Sequence, residues 1–305
     1  MFLTPQILIN LLLDTLILIF LSIAFVIALR VVLYFNLEED TPLQYSLQKE
    51  QYLASVIISF ALFFKILLFF YFIYTLDMLS NIIPGAMCAA GVVTANEYGV
   101  FLLLVKLVNI YLFSFWLLLN FYDGSTKDYR YTKTKFTFFI FIFIFVVIEY
   151  ILEILYFRGL DVNKIVSCCG VLFSPLKSSS LFAFFLKIPP HLGVAALYLL
   201  YIVILLSKKW VLRIAGALFL VTALIAIIQF FSPYIYELPT HHCPFCMLQK
   251  EYGYIGYFIY ATLFLGTFAA MAGYKRWAVW LLGITLLILS YFVIGFYIKN
   301  GVWLF

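Results

Sequence analysis

Long apolar runs decide what this chain can fold into. About eight of them recur along the sequence, each nearly free of charge. A bilayer core is crossed by a helix of roughly 20 residues, and in lipid the backbone must satisfy its own hydrogen bonds. Of 305 residues, 66% are hydrophobic and only 11% charged, whereas a soluble domain carries about a quarter charged residues. The chain is therefore expected to be all-α, a polytopic membrane protein. The spans fall at about 8–34, 53–77, 99–122, 136–157, 193–207, 211–233, 252–273 and 277–298, the fifth being the shortest. No polar stretch is long enough for a soluble domain. The start, Met-Phe-Leu-Thr-Pro-Gln, has no basic segment before its apolar run, so a cleavable signal peptide is not expected. The net charge of +5 comes without a basic cluster interleaved with base-reading side chains, which argues against nucleic acid as a partner.

Short-loop basic residues set the orientation. Lys127, Arg130, Lys133 and Lys135 follow the third span, Lys208, Lys209 and Arg213 the fifth, and Lys275 and Arg276 the seventh. These loops alternate consistently and are read as cytoplasmic, which places both termini outside. The rare reactive side chains then collect on one face. Cys88 falls in the first outer loop, Cys168 and Cys169 in the second, Cys243 and Cys246 in the third. His191, His241 and His242 lie on that side too. Cysteines that merely fill apolar space would be scattered through the spans.

The densest cluster is His241-His242-Cys243-Pro244-Phe245-Cys246. A Cys-x-x-Cys pair outside the cytoplasm serves either thiol–disulfide exchange or ligation. Covalent haem is not expected, because Met247 rather than His follows the second cysteine. Metal binding stays open, with Cys243, Cys246, His241 and His242 as ligands for zinc or copper. In the redox reading, Cys243 lies in the first turn of a helix with Pro244 just inside it. The helix dipole and a protonated histidine would then stabilise the thiolate.

The loop Ser167-Cys168-Cys169-Gly170-Val171-Leu172-Phe173-Ser174, followed by Ile188-Pro189 and Gly193, a helix, a basic turn, a helix and then Cys243-Pro244-Phe245-Cys246, resembles the vitamin K epoxide reductase-like family of membrane thiol oxidoreductases. The likeness covers roughly residues 136–270. It implies a four-helix bundle in the C-terminal half, residues 136–305 with one extra helix, and a bacterial inner-membrane location. It also implies a quinone cofactor. Cys246 would face the quinone, Cys243 would exchange with Cys168, and Ser174 would hydrogen-bond the quinone oxygen. A separate thioredoxin-like or thiol-bearing protein on the outer side would be the partner. The family's second loop cysteine is replaced here by Leu160. Cys169, or Cys88 if its loop folds over the site, stands in for it.

Residues 1–122 form an N-terminal three-helix region. Cys88 precedes Thr94 by the spacing that separates Cys168 from Ser174, so this region reads as a degenerate repeat, or alternatively as a small-residue re-entrant loop. Asp14, Lys65, Lys106, Glu149 and Glu153 fall within spans, where ionisable residues are functional candidates. Glu149 and Glu153 share a helix face and suit proton relay or the border of a wet vestibule. For Asp14, Asp77 and Glu153, near span ends, snorkelling is the bland alternative to a functional role. The leading function is a quinone-coupled thiol–disulfide oxidoreductase. The alternatives are a soft-metal binder and an accessory subunit of a larger membrane complex with structural disulfides.

Overall fold

The computed structural model describes residues 4–35, 41–125, 131–161, 165–166 and 189–304. Among these residues every regular element is helical, and seven helices are long and apolar enough to cross a membrane. The chain is an all-α polytopic membrane protein. Its main helices are α1 (Pro5–Tyr34), α2 (Pro42–Ser80), α3 (Tyr98–Ser125), α4 (Thr132–Arg158), α5 (Pro190–Leu206), α6 (Lys209–Ala226), α7 (Ile255–Ala272) and α8 (Lys275–Asn300). The short one is α5, at 17 residues.

Helix starts follow local chemistry. Proline opens α1, α2 and α5, where its missing N–H costs nothing and its fixed φ suits the first turn. Thr41 caps α2 by accepting a hydrogen bond from the Gln44 N–H at 3.3 Å. That cap starts α2 at Pro42 rather than near 53, adding polar turns ahead of the apolar run. Asn96 sets the start of α3. Its Oδ1 accepts from the Tyr98 and Gly99 N–H groups, while its Nδ2 donates to the Tyr156 carbonyl at 2.8 Å.

The chain divides into two compact units. Unit 1 comprises Met1–Pro84 and Val92–Lys164, and unit 2 comprises Gly85–Gly91 and Ile165–Phe305. In unit 1, α1 packs on α2 and α4, and α3 packs on the same two helices. Leu21, Ala24, Ala28, Ile58, Leu62, Trp116, Phe139 and Ile142 fill the core. In unit 2, α5 and α7 both pack on α6 and on α8, around Leu197, Phe219, Ala223, Ile259, Leu263 and Leu282. Each unit is thus a ring of four helices.

This division differs from the sequence boundary between 122 and 136. The helix assigned there to the C-terminal bundle is α4, and it packs against α1 and α3 in unit 1. The reason is electrostatic. Glu149 and Glu153 on α4 bond to Lys65 of α2 and Lys106 of α3, and carboxylates inside a membrane protein need such partners. The four-helix bundle next to the Cys-x-x-Cys is built from the fifth to eighth spans, not the fourth to seventh.

Two features of unit 2 shape the region around the cysteines. Helix α6 runs through a π-helical turn, Ile227–Phe231, into one further α-helical segment, Ser232–Tyr236. Pro233 has no N–H to close an α turn and its ring crowds the preceding carbonyls, so the turn widens. The chain then reverses at Glu237, which adopts φ 55°. On the other side, Gly253 and Tyr254 have φ 61° and 57°. Two successive left-handed residues stop the 3₁₀ turn Lys250–Tyr252 from running on into α7.

Candidate active site

Three cysteines meet in unit 2. Cys88 belongs to the Gly85–Gly91 segment, and Cys243 and Cys246 to the connection between α6 and α7. Cys88 and Cys243 are fully buried and Cys246 is 4% exposed. The Cys88 and Cys243 sulfurs stand 3.4 Å apart. That is van der Waals contact, well beyond a disulfide bond of about 2.05 Å. All three sulfurs lie within 4.8 Å of one another. The two segments are separated by α3 to α6, an even number of helices, so parity allows them to meet at one end of the spans.

The Cys88 segment reaches this position through a tight turn. Gly85 has φ 84°, and a Cβ there would stand 2.4 Å from the Val166 carbonyl oxygen. Only glycine accepts both the dihedral and the approach. Cys88 then accepts a hydrogen bond at its carbonyl from the Gly91 N–H. Gln249 Nε2 donates to the Met87 carbonyl at 3.3 Å, tying the segment to the Cys-x-x-Cys connection.

The Cys-x-x-Cys backbone is held by two tyrosines. Tyr236 Oη donates to the Cys243 carbonyl at 2.6 Å and accepts from the Met247 N–H at 2.9 Å. Tyr260 Oη, from α7, donates to the Pro244 carbonyl at 2.7 Å. Sequence reasoning did not single out either tyrosine. In a chain that is 21% aromatic no pattern distinguishes them; only the π turn and the fold of the connection bring them to these carbonyls.

The two cysteines of the pair have different neighbours. The Phe245 N–H donates to Cys243 Sγ at 3.4 Å. His241 Nε2 lies 3.2 Å from Cys246 Sγ. The His241 ring also packs on Tyr236, with centroids 4.3 Å apart. Burial lowers the His241 pKa from its usual value, Cys88 partly offsets that shift, and His242 reinforces it. The shift favours the uncharged ring, and in the tautomer that leaves Nε2 without hydrogen it accepts from the Cys246 thiol. His242 Nδ1 contacts the Ile228 carbonyl in the π turn at 3.1 Å, which anchors the connection to α6.

Two sequence expectations are corrected here. Cys243 is not in the first turn of a helix. Cys246–Leu248 and Lys250–Tyr252 are isolated 3₁₀ turns, and α7 begins only at Ile255. The helix dipole is not aimed at Cys243, and the Phe245 N–H donates to its sulfur instead. The left-handed Gly253-Tyr254 pair enforces the break. The second correction concerns the charged groups. Asp14 and Glu153 do not snorkel; they are 1% and 0% exposed. Glu149 and Glu153 form ion pairs within unit 1, with Lys65 and Lys106. Cys168, Cys169 and Ser174 lie outside the described residues.

Comparisons with protein-family models, curated proteins and solved structures return no match.

Proposed function

We propose that this chain is a membrane thiol–disulfide oxidoreductase whose electrons pass through Cys88, Cys243 and Cys246. The contact between the Cys88 and Cys243 sulfurs supports this reading most directly. In the exchange step, the Cys88 thiolate attacks Cys243 of a Cys243–Cys246 disulfide. A Cys88–Cys243 bond forms, the Cys243–Cys246 bond breaks, and Cys246 leaves as a thiolate. A leaving thiolate departs faster the lower its pKa, and His241 can shuttle the proton that Cys246 gains or loses. In the reverse exchange the Cys246 thiolate attacks Cys243 of the Cys88–Cys243 disulfide and Cys88 leaves as a thiolate, with no net electron transfer. Oxidation of a Cys243–Cys246 dithiol to its disulfide is a separate step that gives up two electrons and two protons.

A quinone, when bound, would supply the acceptor for that pair. The apolar and aromatic side chains of Phe245, Tyr252, Ile255 and Tyr260 pack on the core beside Cys246 and suit a flat ring. The proposal keeps Ser174 as a donor to a quinone oxygen, and Cys168 and Cys169 as the thiols through which an extracytoplasmic thioredoxin-like partner connects. It also keeps the vitamin K epoxide reductase-like resemblance, the outward orientation of the cysteine face and the bacterial inner membrane.

The test is turnover. The protein in lipid is supplied with a dithiol and a soluble quinone analogue, and quinone absorbance is followed. Cys88→Ser, Cys243→Ser and Cys246→Ser should each abolish consumption. Rates equal to the wild type's in these variants contradict the proposal.

One observation favours a second reading. Three sulfurs within 4.8 Å of one another, with His241 Nε2 at 3.2 Å from Cys246 Sγ, are soft donors of the kind that suit copper(I) or zinc. Stoichiometric metal in the purified protein, lost in Cys243→Ser and accompanied by no quinone turnover, would establish that reading instead.

A further inference from the structure

We propose that unit 1 contains a binding site for one proton, shared by the carboxyl groups of Asp14 and Glu153. Five ionisable side chains from four helices meet there: Asp14 of α1, Lys65 of α2, Lys106 of α3, and Glu149 and Glu153 of α4. Each side chain is at most 3% exposed. Three carboxyl groups face two ammonium groups, so full ionisation leaves one surplus negative charge in an apolar interior. An uncompensated buried charge is strongly unfavourable, and membrane surroundings make it more so.

The hydrogen bonds locate the surplus. Glu149 is saturated. Its Oε1 accepts from Lys65 at 3.0 Å and from Lys106 at 2.8 Å, and its Oε2 accepts from Asn109 Nδ2. Asp14 accepts from Lys65 at Oδ1, 2.6 Å away. Its Oδ2 has only Lys106 at 3.7 Å and accepts no hydrogen bond. Glu153 accepts from Lys106 at Oε2, 2.7 Å away, while its buried Oε1 has no hydrogen-bond partner. Oxygens of Asp14, Glu149 and Glu153 lie within 4.8 Å of one another, so the Asp14 and Glu153 carboxyls are neighbours. One proton on either carboxyl lets it donate to the other, which satisfies both orphaned oxygens and removes the surplus charge together. Nearby Tyr150 turns instead to Thr15, 2.7 Å away, and the Phe72 ring lies 4.7 Å from the Lys106 ammonium. A metal cation is disfavoured at the same spot, because two ammonium groups already stand among the oxygens and repel it. A proton occupies no volume and needs only two acceptors.

The full chain in lipid nanodiscs, followed by infrared spectroscopy at neutral pH, provides the test. The wild type should show a protonated-carboxyl stretch that shifts in D₂O. The band should disappear in Glu153→Gln and in Asp14→Asn, and should move in frequency without loss in Glu153→Asp. Absence of the band in the wild type overturns the proposal with no variant needed. So does a band that persists in both amide variants, or one that vanishes when potassium is exchanged for sodium, which would mark a metal site.

Discussion

Lys106 holds the unit 1 charge cluster together, and its removal should be the most damaging single change there. Its ammonium lies 2.8 Å from Glu149, 2.7 Å from Glu153 and 3.7 Å from Asp14. At an effective dielectric of about 20, the ion pair with Glu149 is worth roughly 6 kcal/mol of attraction before desolvation is subtracted. Desolvation cancels much of it, and breaking a buried pair by deleting one partner costs about 3–5 kcal/mol. Lys106→Met keeps the apolar stem and removes only the charge, so the whole loss is electrostatic. Glu153→Gln is expected to behave differently. A carboxyl that already carries the shared proton is neutral, and an amide replaces it at a cost of about 1 kcal/mol or less. Thermal unfolding in detergent, monitored by tryptophan fluorescence, should show a drop for Lys106→Met several times that for Glu153→Gln. Trp116, buried in the unit 1 core with its indole N–H bonded to the Lys135 carbonyl, reports locally. Equal drops in the two variants, or a Lys106→Met loss below about 1 kcal/mol, would refute the account of the cluster.

Two further expectations concern the cysteine site. Tyr236→Phe removes one hydroxyl that serves both the Cys243 carbonyl and the Met247 N–H. Leaving buried backbone groups unpaired should cost about 1–3 kcal/mol and raise the alkylation rate of Cys243 as the connection loosens, read by mass spectrometry of timed labelling. His241 adds a pH dependence of defined sign. Its folded pKa is lowered by burial, so between the unfolded value of about 6.5 and the lower folded value the unfolded chain binds the extra proton. Its contribution to stability is complete above that window and is lost as pH falls through it. The stability difference between wild type and His241→Phe should therefore change in that direction on acidification, in paired melting curves.

Much of the architecture was legible because lipid demands long apolar helices, and eight such runs stand out. Boundaries failed where a side chain rather than hydropathy set them, as at the Thr41 cap of α2. The assignment of α4 failed for a related reason. Its apolar run does not say which bundle it joins; in the fold Phe139, Ile142 and Val146 fill the unit 1 core, and Glu149 and Glu153 pair there with Lys65 and Lys106. At the cysteine site, Cys243, Cys246 and His241 stand close together in the sequence, and Cys88 was a candidate conditional on its loop folding over; the fold brings its sulfur to 3.4 Å from that of Cys243. The helix at Cys243 was misjudged because Gly253 and Tyr254 adopt left-handed conformations that a tyrosine does not advertise. Tyr236 and Tyr260 were hidden among many aromatics, since their role depends on where their hydroxyls end up and not on their spacing.

Disulfide mapping of Cys246→Ala tests the central claim most directly. With the resolving sulfur removed and membranes mildly oxidised, the 3.4 Å contact should be captured as a Cys88–Cys243 disulfide, identified by peptide mass spectrometry. A Cys243 that stays a thiol, or that pairs with Cys168 while Cys88 remains reduced, would contradict a relay through Cys88.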